Sequence, residues 1–149
     1  MYAIGGSMKR FLLRRSGPRA GAVTDLPPYA RLLQLRIDDS ADSLRFVMPF
    51  HDDVIGRPGF LHGGAIAGLL EFAAFNALGR EIDDDAVVMK PITVTVDYLR
   101  GGVERETFAE AIIERLGNRI ANVEAFAWQG ERAKPIASAR INFLLERPQ

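Results

Sequence analysis

From Gly63 to Leu78 the chain holds one charged residue, Glu71, and almost every other position is apolar or small. No single stripe stands out, so the pattern predicts a helix with no face for solvent, and such a helix is normally buried. It is expected to start after His62 and to end near Gly79, where Arg80 to Asp85 becomes a polar connection. On either side the spacing is different. Ahead of it, Leu26-Pro27-Pro28 and then Tyr29 to Leu35 read as a short helix entered through prolines, with Tyr29, Leu32, Leu33 and Leu35 inward and the whole lying across a sheet edge. Arg36 to Ser40 and Asp42 to Met48 read as two strands around a polar turn, with Leu44, Phe46 and Met48 sharing a face. Pro49 to Pro58 is rich in turn formers and predicts a loop leading to the helix N-terminus. Behind the helix, Ile92 to Tyr98 alternates strictly, with Ile92, Val94, Val96 and Tyr98 on the apolar side. Thr107 to Leu116, Ile120 to Gln129 and Ile136 to Leu145 are three further strands, joined at Gly117-Asn118 and over Gly130 to Lys134.

One helix between an early hairpin and a run of antiparallel strands is an α+β pattern, a long central helix wrapped by a curved antiparallel sheet of five to six strands. The sheet covers one side of that helix. A second subunit is the simplest cover for the rest, so a homo-oligomer, either a dimer or a dimer of dimers, is expected.

Composition narrows the classes. The chain has 149 residues, 48% of them apolar, which fits one domain burying roughly two thirds of its unfolded surface. That domain is placed over residues 25–149, behind a flexible basic arm over residues 1–24. The arm carries Lys9, Arg10, Arg14, Arg15 and Arg19, and Phe11-Leu12-Leu13 is too short an apolar core for a secretory signal. Nineteen basic residues balance nineteen acidic ones, so no nucleic-acid footprint is visible in the net charge. The absence of cysteine excludes disulfides, thiolate zinc and cysteine nucleophiles. With only His51 and His62, a polyhistidine metal site is not expected either, and Asp83-Asp84-Asp85 lacks the regular spacing of oxygen ligands. No run approaches the ~18 apolar residues of a membrane span. The expectation is a soluble, cytoplasmic protein needing no metal or redox cofactor.

The chemistry gathers at the start of the long helix. Its first turn presents N–H groups with no intrahelical partner, and these suit an oxygen developing negative charge. Gly63 and Gly64 let such an oxygen approach the backbone, as an oxyanion hole requires. Glu71, a carboxylate in apolar surroundings, must be paired, protonated or facing a cavity. It lies nine positions after His62, and at ~100° per residue that sets the two on opposite sides of the helix. A site using both from one chain is awkward; two sites at a two-fold interface, each taking its helix start from one subunit and Glu71 from the other, remove the difficulty. Taken singly, a glycine pair can be tight packing and a buried glutamate a structural hydrogen-bond partner.

Leu61-His62-Gly63-Gly64, six residues and then an acid, followed by Val96-Asp97-Tyr98-Leu99-Arg100, Leu116-Gly117-Asn118-Arg119 and Ala137-Ser138-Ala139-Arg140-Ile141-Asn142-Phe143, resembles the hotdog-fold acyl-CoA thioesterases of the phenylacetate-pathway (PaaI-like) type. The resemblance runs from about Pro27 to Leu145. It implies that Glu71 is the catalytic base or nucleophile, acting across a dimer interface. It also implies that the Gly64 N–H polarises the thioester carbonyl, with His62 as a positioning residue beside Gly63. Arg100, Asn118 and Arg119 are the implied contacts to the CoA moiety, although charges closing surface turns read equally well. Phe75, with Phe60 and Phe72, is a candidate for the acyl pocket or for plain core. One departure stands out: six residues before the histidine such enzymes commonly carry an amide, and this chain has Gly56, with Asp52, Asp53 and Arg57 as the nearest polar side chains. The missing amide keeps a non-catalytic acyl-CoA-binding module open, and behind it a hotdog hydratase or dehydratase.

Overall fold

The computed structural model describes residues 26–38, 43–82 and 84–148; the basic arm and the turn of the first hairpin lie outside them. The order is a short helix α1 (Pro28–Leu32), strands β1 (Arg36–Asp38) and β2 (Arg45–Met48), the long helix α2 (Gly63–Ile82), then β3 (Val88–Tyr98), β4 (Thr107–Leu116), β5 (Ile120–Trp128) and β6 (Ala137–Glu146). All six strands form one antiparallel sheet in the order β1-β2-β4-β5-β6-β3. The sheet curves around α2, and together they are the α+β hotdog architecture.

Alternation explains the sheet. One side of β4, β5 and β6 supplies Ala109, Ala125, Ala127, Ala137, Ala139, Ile141 and Phe143, all buried against α2. Small side chains in the middle of the sheet let a helix bearing Leu69, Leu70 and Leu78 settle close to it. On the face away from α2, Phe108 and Trp128 stack with centroids 5.9 Å apart, and the guanidiniums of Arg45 and Arg132 lie over their outer sides. Glu110, nearly buried beside them, accepts hydrogen bonds from Ser43 Oγ (2.7 Å) and Arg132 Nε (2.7 Å). Its charge is therefore answered where water cannot answer it.

Three details depart from the pattern. Helix α2 continues one turn past Gly79, to Ile82. Helix α1 packs on α2 instead of crossing a sheet edge: Ala30 and Leu33 enter the core, while Tyr29 and Leu32 stay about half exposed. Gly68 makes this possible, since a Cβ there would come within 2.6 Å of the Tyr29 ring. The third concerns β3, which begins four residues earlier than its alternation suggests and leaves Ile92, Val94 and Tyr98 51, 41 and 55% exposed. It is the last strand of the sheet and among the described residues pairs only with β6, which leaves its other edge without a strand partner among them.

Candidate active site at the start of the long helix

The loop before α2 folds back on itself. Ile55 bridges Leu61, the Gly56 N–H donates to Phe60 O (2.9 Å), and the His62 N–H donates to Val54 O (2.8 Å). Gly56 therefore lies against His62, where a Cβ would meet the His62 Cα at 2.9 Å. A side chain at this position, amide or otherwise, would collide with backbone, and that accounts for the glycine. The loop is tied to the segment after β3 by the Leu61 N–H on Gly102 O (2.9 Å) and by the bridge of Phe60 with Val103.

His62 caps the helix. Its carbonyl accepts from the N–H groups of Ala65 (3.0 Å) and Ile66 (3.3 Å), and its Nδ1 accepts from the Gly64 N–H at 2.9 Å. An accepting Nδ1 carries a lone pair, so a neutral ring holds its proton on Nε2. The same bond occupies the N–H that the glycine pair was expected to offer, whereas the Gly63 N–H meets no acceptor among the described residues. Two tyrosines flank this turn: Tyr98 donates its hydroxyl hydrogen to Gly63 O (2.8 Å) and Tyr29 to Gly64 O (3.3 Å). Sequence reasoning had placed both by their apolar rings and missed the hydroxyls; Tyr98, ending an alternating strand just before Arg100-Gly101-Gly102, was the better signal.

An open cavity of about 660 Å³ lies beside the turn, lined among others by Arg57, Phe60, His62, Gly63, Tyr98 and Arg100. The Arg57 guanidinium sits 4.1 Å from the centre of the Phe60 ring, within cation–π range. So the structure brings His62, Gly63 and Arg100 together and adds Arg57. It does not bring Glu71 to them. Seven residues after Gly64, Glu71 lies on the same side of α2 about 10 Å further along the axis. It is half-buried, has no hydrogen bond or ion pair among the described residues, and burial raises its carboxyl above the ordinary value. Asn118 and Arg119 form the β4–β5 turn beside Leu145 and Arg147, at the end of the sheet away from the cavity. Phe75 is 2% exposed and packs edge-on against Phe143 in the core. Among the described residues no three histidine, aspartate or glutamate side chains gather as metal ligands do, and no helix is long and apolar enough to cross a membrane.

A hotdog sheet around a glycine-led helix with one desolvated carboxylate defines a class, and comparison with known proteins supplies the family. Residues 58–136 match the model of the thioesterase superfamily, and the chain belongs to that superfamily. Among solved structures, a protein from Chromobacterium violaceum is 34% identical, with 85% of this chain and 89% of that one covered and a TM-score of 0.66. A phenylacetic acid degradation-related putative thioesterase from Ralstonia eutropha JMP134 is 22% identical (80% and 90% covered, TM-score 0.67). A Bacillus halodurans protein crystallised with CoA is also 22% identical (83% and 82% covered, TM-score 0.74). No curated protein matches the sequence.

Proposed function

We propose that the protein hydrolyses acyl-CoA or acyl-carrier thioesters, in the manner of the PaaI-like enzymes. The observation that carries this reading is Glu71: a carboxylate partly stripped of water and given no hydrogen-bond or ion-pair partner among the described residues, on the long helix of a thioesterase-superfamily fold. Such a group is a stronger base than an ordinary glutamate, which suits attack on an acyl carbon. Water loses a proton to Glu71 and its oxygen bonds to the acyl carbon. The carbonyl oxygen, negative in the tetrahedral intermediate, is held by the Gly64 N–H once His62 Nδ1 gives up that donor. The C–S bond then breaks and the thiolate takes the proton from Glu71. As a nucleophile, the Glu71 carboxylate would instead bond to the acyl carbon and expel the thiolate as the C–S bond breaks, and water would then open the resulting anhydride to the free acid and the Glu71 carboxylate.

The roughly 10 Å between Gly64 and Glu71 in one chain favours a site shared by two copies. The free edge of β3 and the exposed Ile92, Val94 and Tyr98 are the surface such a copy would cover. Arg100 in the cavity is a substrate contact, and the Bacillus halodurans neighbour with CoA supports CoA as the carrier. Glu71→Ala is expected to lower kcat for acyl-CoA hydrolysis on the order of 10³-fold, measured by thiol release; an unchanged rate would remove the assignment. The filled Gly56 position and the engaged Gly64 N–H favour a second reading, an acyl-CoA-binding module without turnover. Any Glu71-dependent release of CoA rules that out.

A further inference from the structure

Gly63 O and the Gly64 N–H belong to one peptide unit, and that unit has a partner outside the helix. Tyr98, the last residue of β3, donates its hydroxyl hydrogen to Gly63 O at 2.8 Å. The first glycine of the pair makes room for it: a Cβ at Gly63 would press to 3.1 Å from the Tyr98 oxygen and 3.2 Å from its Cζ. The strand carrying the phenol is held in register by β6, with Tyr98 opposite Ala137. Tyr29 reaches the same turn but donates to Gly64 O, at 3.3 Å. That carbonyl belongs to the following peptide unit, whose N–H is on Ala65 and already donates to His62 O. The two hydroxyls therefore act on different amides.

A hydrogen bond accepted by an amide oxygen draws electron density from the amide nitrogen, so the N–H becomes a stronger donor, and the bond also fixes the plane in which that N–H points. Resting on the thioesterase reading above, we propose that Tyr98 is a positioning residue for hydrolysis: its hydroxyl, acting through the Gly63–Gly64 peptide, aims and strengthens the N–H that holds the oxyanion. The gain is larger against a full negative charge than against the uncharged lone pair of His62 Nδ1, which holds the same N–H at rest. It therefore falls on the transition state and not on substrate binding. Removing one oxyanion donor costs about 10²- to 10³-fold in kcat, and strengthening one by about 10–30% corresponds to roughly 2- to 8-fold.

The test is thiol release from whichever of acetyl-, hexanoyl- and benzoyl-CoA the parent hydrolyses. In Tyr98→Phe, kcat is expected to fall roughly 2- to 8-fold with KM unchanged. The loss should be smaller in Tyr29→Phe, which strips the neighbouring carbonyl. With 3-fluorotyrosine, a stronger donor, in place of Tyr98, kcat should rise above the parent's, a gain that no loosening of the fold can imitate. Gly63→Ala, which pushes on the phenol and keeps every hydroxyl, should lower kcat as Tyr98→Phe does. An unchanged kcat in Tyr98→Phe overturns the proposal. So does a rise in KM alone, because the hydroxyl then serves binding, and so does an equal loss in Tyr29→Phe, because the hydroxyls then only firm the turn. If no ester is hydrolysed, the thioesterase reading fails by itself, and nuclear magnetic resonance on glycine-labelled protein decides whether Tyr98 polarises the amide. Upfield movement of the Gly63 carbonyl carbon and the Gly64 amide nitrogen in Tyr98→Phe supports it, and unmoved signals overturn it.

Discussion

Removing water from a carboxylate without giving it a partner costs free energy, and Glu71 shows the sign of that cost. Burial raises its carboxyl above the ordinary value of 4.5, so the folded chain holds the proton to higher pH than the unfolded chain does. Stability from this group is complete below the ordinary value and is lost as pH rises through the raised one. Glu71→Gln keeps the shape and deletes the charge. It is expected to be more stable than the parent at neutral pH, with the difference closing as pH falls towards 4.5; urea melts at several pH values measure this, and a parent more stable at pH 7 would show that Glu71 is satisfied by a partner. This residue was legible in the sequence because it is the one charge between Gly63 and Leu78 of a long apolar helix. Gly56 was not. Its reason is contact with the His62 backbone, which exists only once the loop has folded back, and the bond between His62 Nδ1 and the Gly64 N–H is hidden in the same way.

At the scale of elements, the apolar pattern identified every α-helix and strand among the described residues and passed over only the short 3-10 turn Asp52–Val54 in the loop before α2, because the apolar spacing that marks an element is also what packs it. It failed on which faces are covered. The apolar side of β3 lies at the end of the sheet with Ile92, Val94 and Tyr98 exposed, and α1 turns Ala30 inward and leaves Leu32 out, since neither pattern records which neighbour arrives. The end of α1 is a local matter that the sequence also concealed. Gln34 has φ 53°, while the Leu35 N–H bonds Ala30 O (3.0 Å) and the Gln34 N–H bonds Arg31 O (2.9 Å), the paired bonds of a left-handed helix stop. Glycine is the residue that adopts this conformation without a Cβ penalty. Gln34→Gly is therefore expected to stabilise the fold by about 0.5–1 kcal/mol, read as a higher urea midpoint with an unchanged slope. A lower midpoint would mean that the Gln34 side chain contributes more than the strain takes away.

For the whole molecule, the decisive question is whether a site draws on one chain or two, and subunit mixing answers it. Glu71→Ala removes the proposed base, and Gly64→Pro removes the proposed N–H donor in the first helical turn. The second substitution also breaks the bond to His62 Nδ1 and pushes on the His62 ring, 2.9 Å from a Cβ at this position, so a circular dichroism spectrum and urea midpoint close to the parent's are required of it before mixing. Each variant alone is expected to be inactive. If every site takes its helix start from one subunit and Glu71 from the other, a mixed dimer has one site with both defects and one with neither. Random exchange of equal amounts makes half the dimers mixed, each with one of its two sites restored, so thiol release should recover to about one quarter of the parent rate. If both residues act from the same chain, every site in the mixture keeps a defect and the rate stays at the level of the single variants. Recovery would also require that the dimers exchange, which the mass of a tagged and untagged pair reports independently. A recovered quarter would give the free edge of β3 and its exposed Ile92, Val94 and Tyr98 a functional reason: the surface left uncovered in one chain would be where the second chain brings the base.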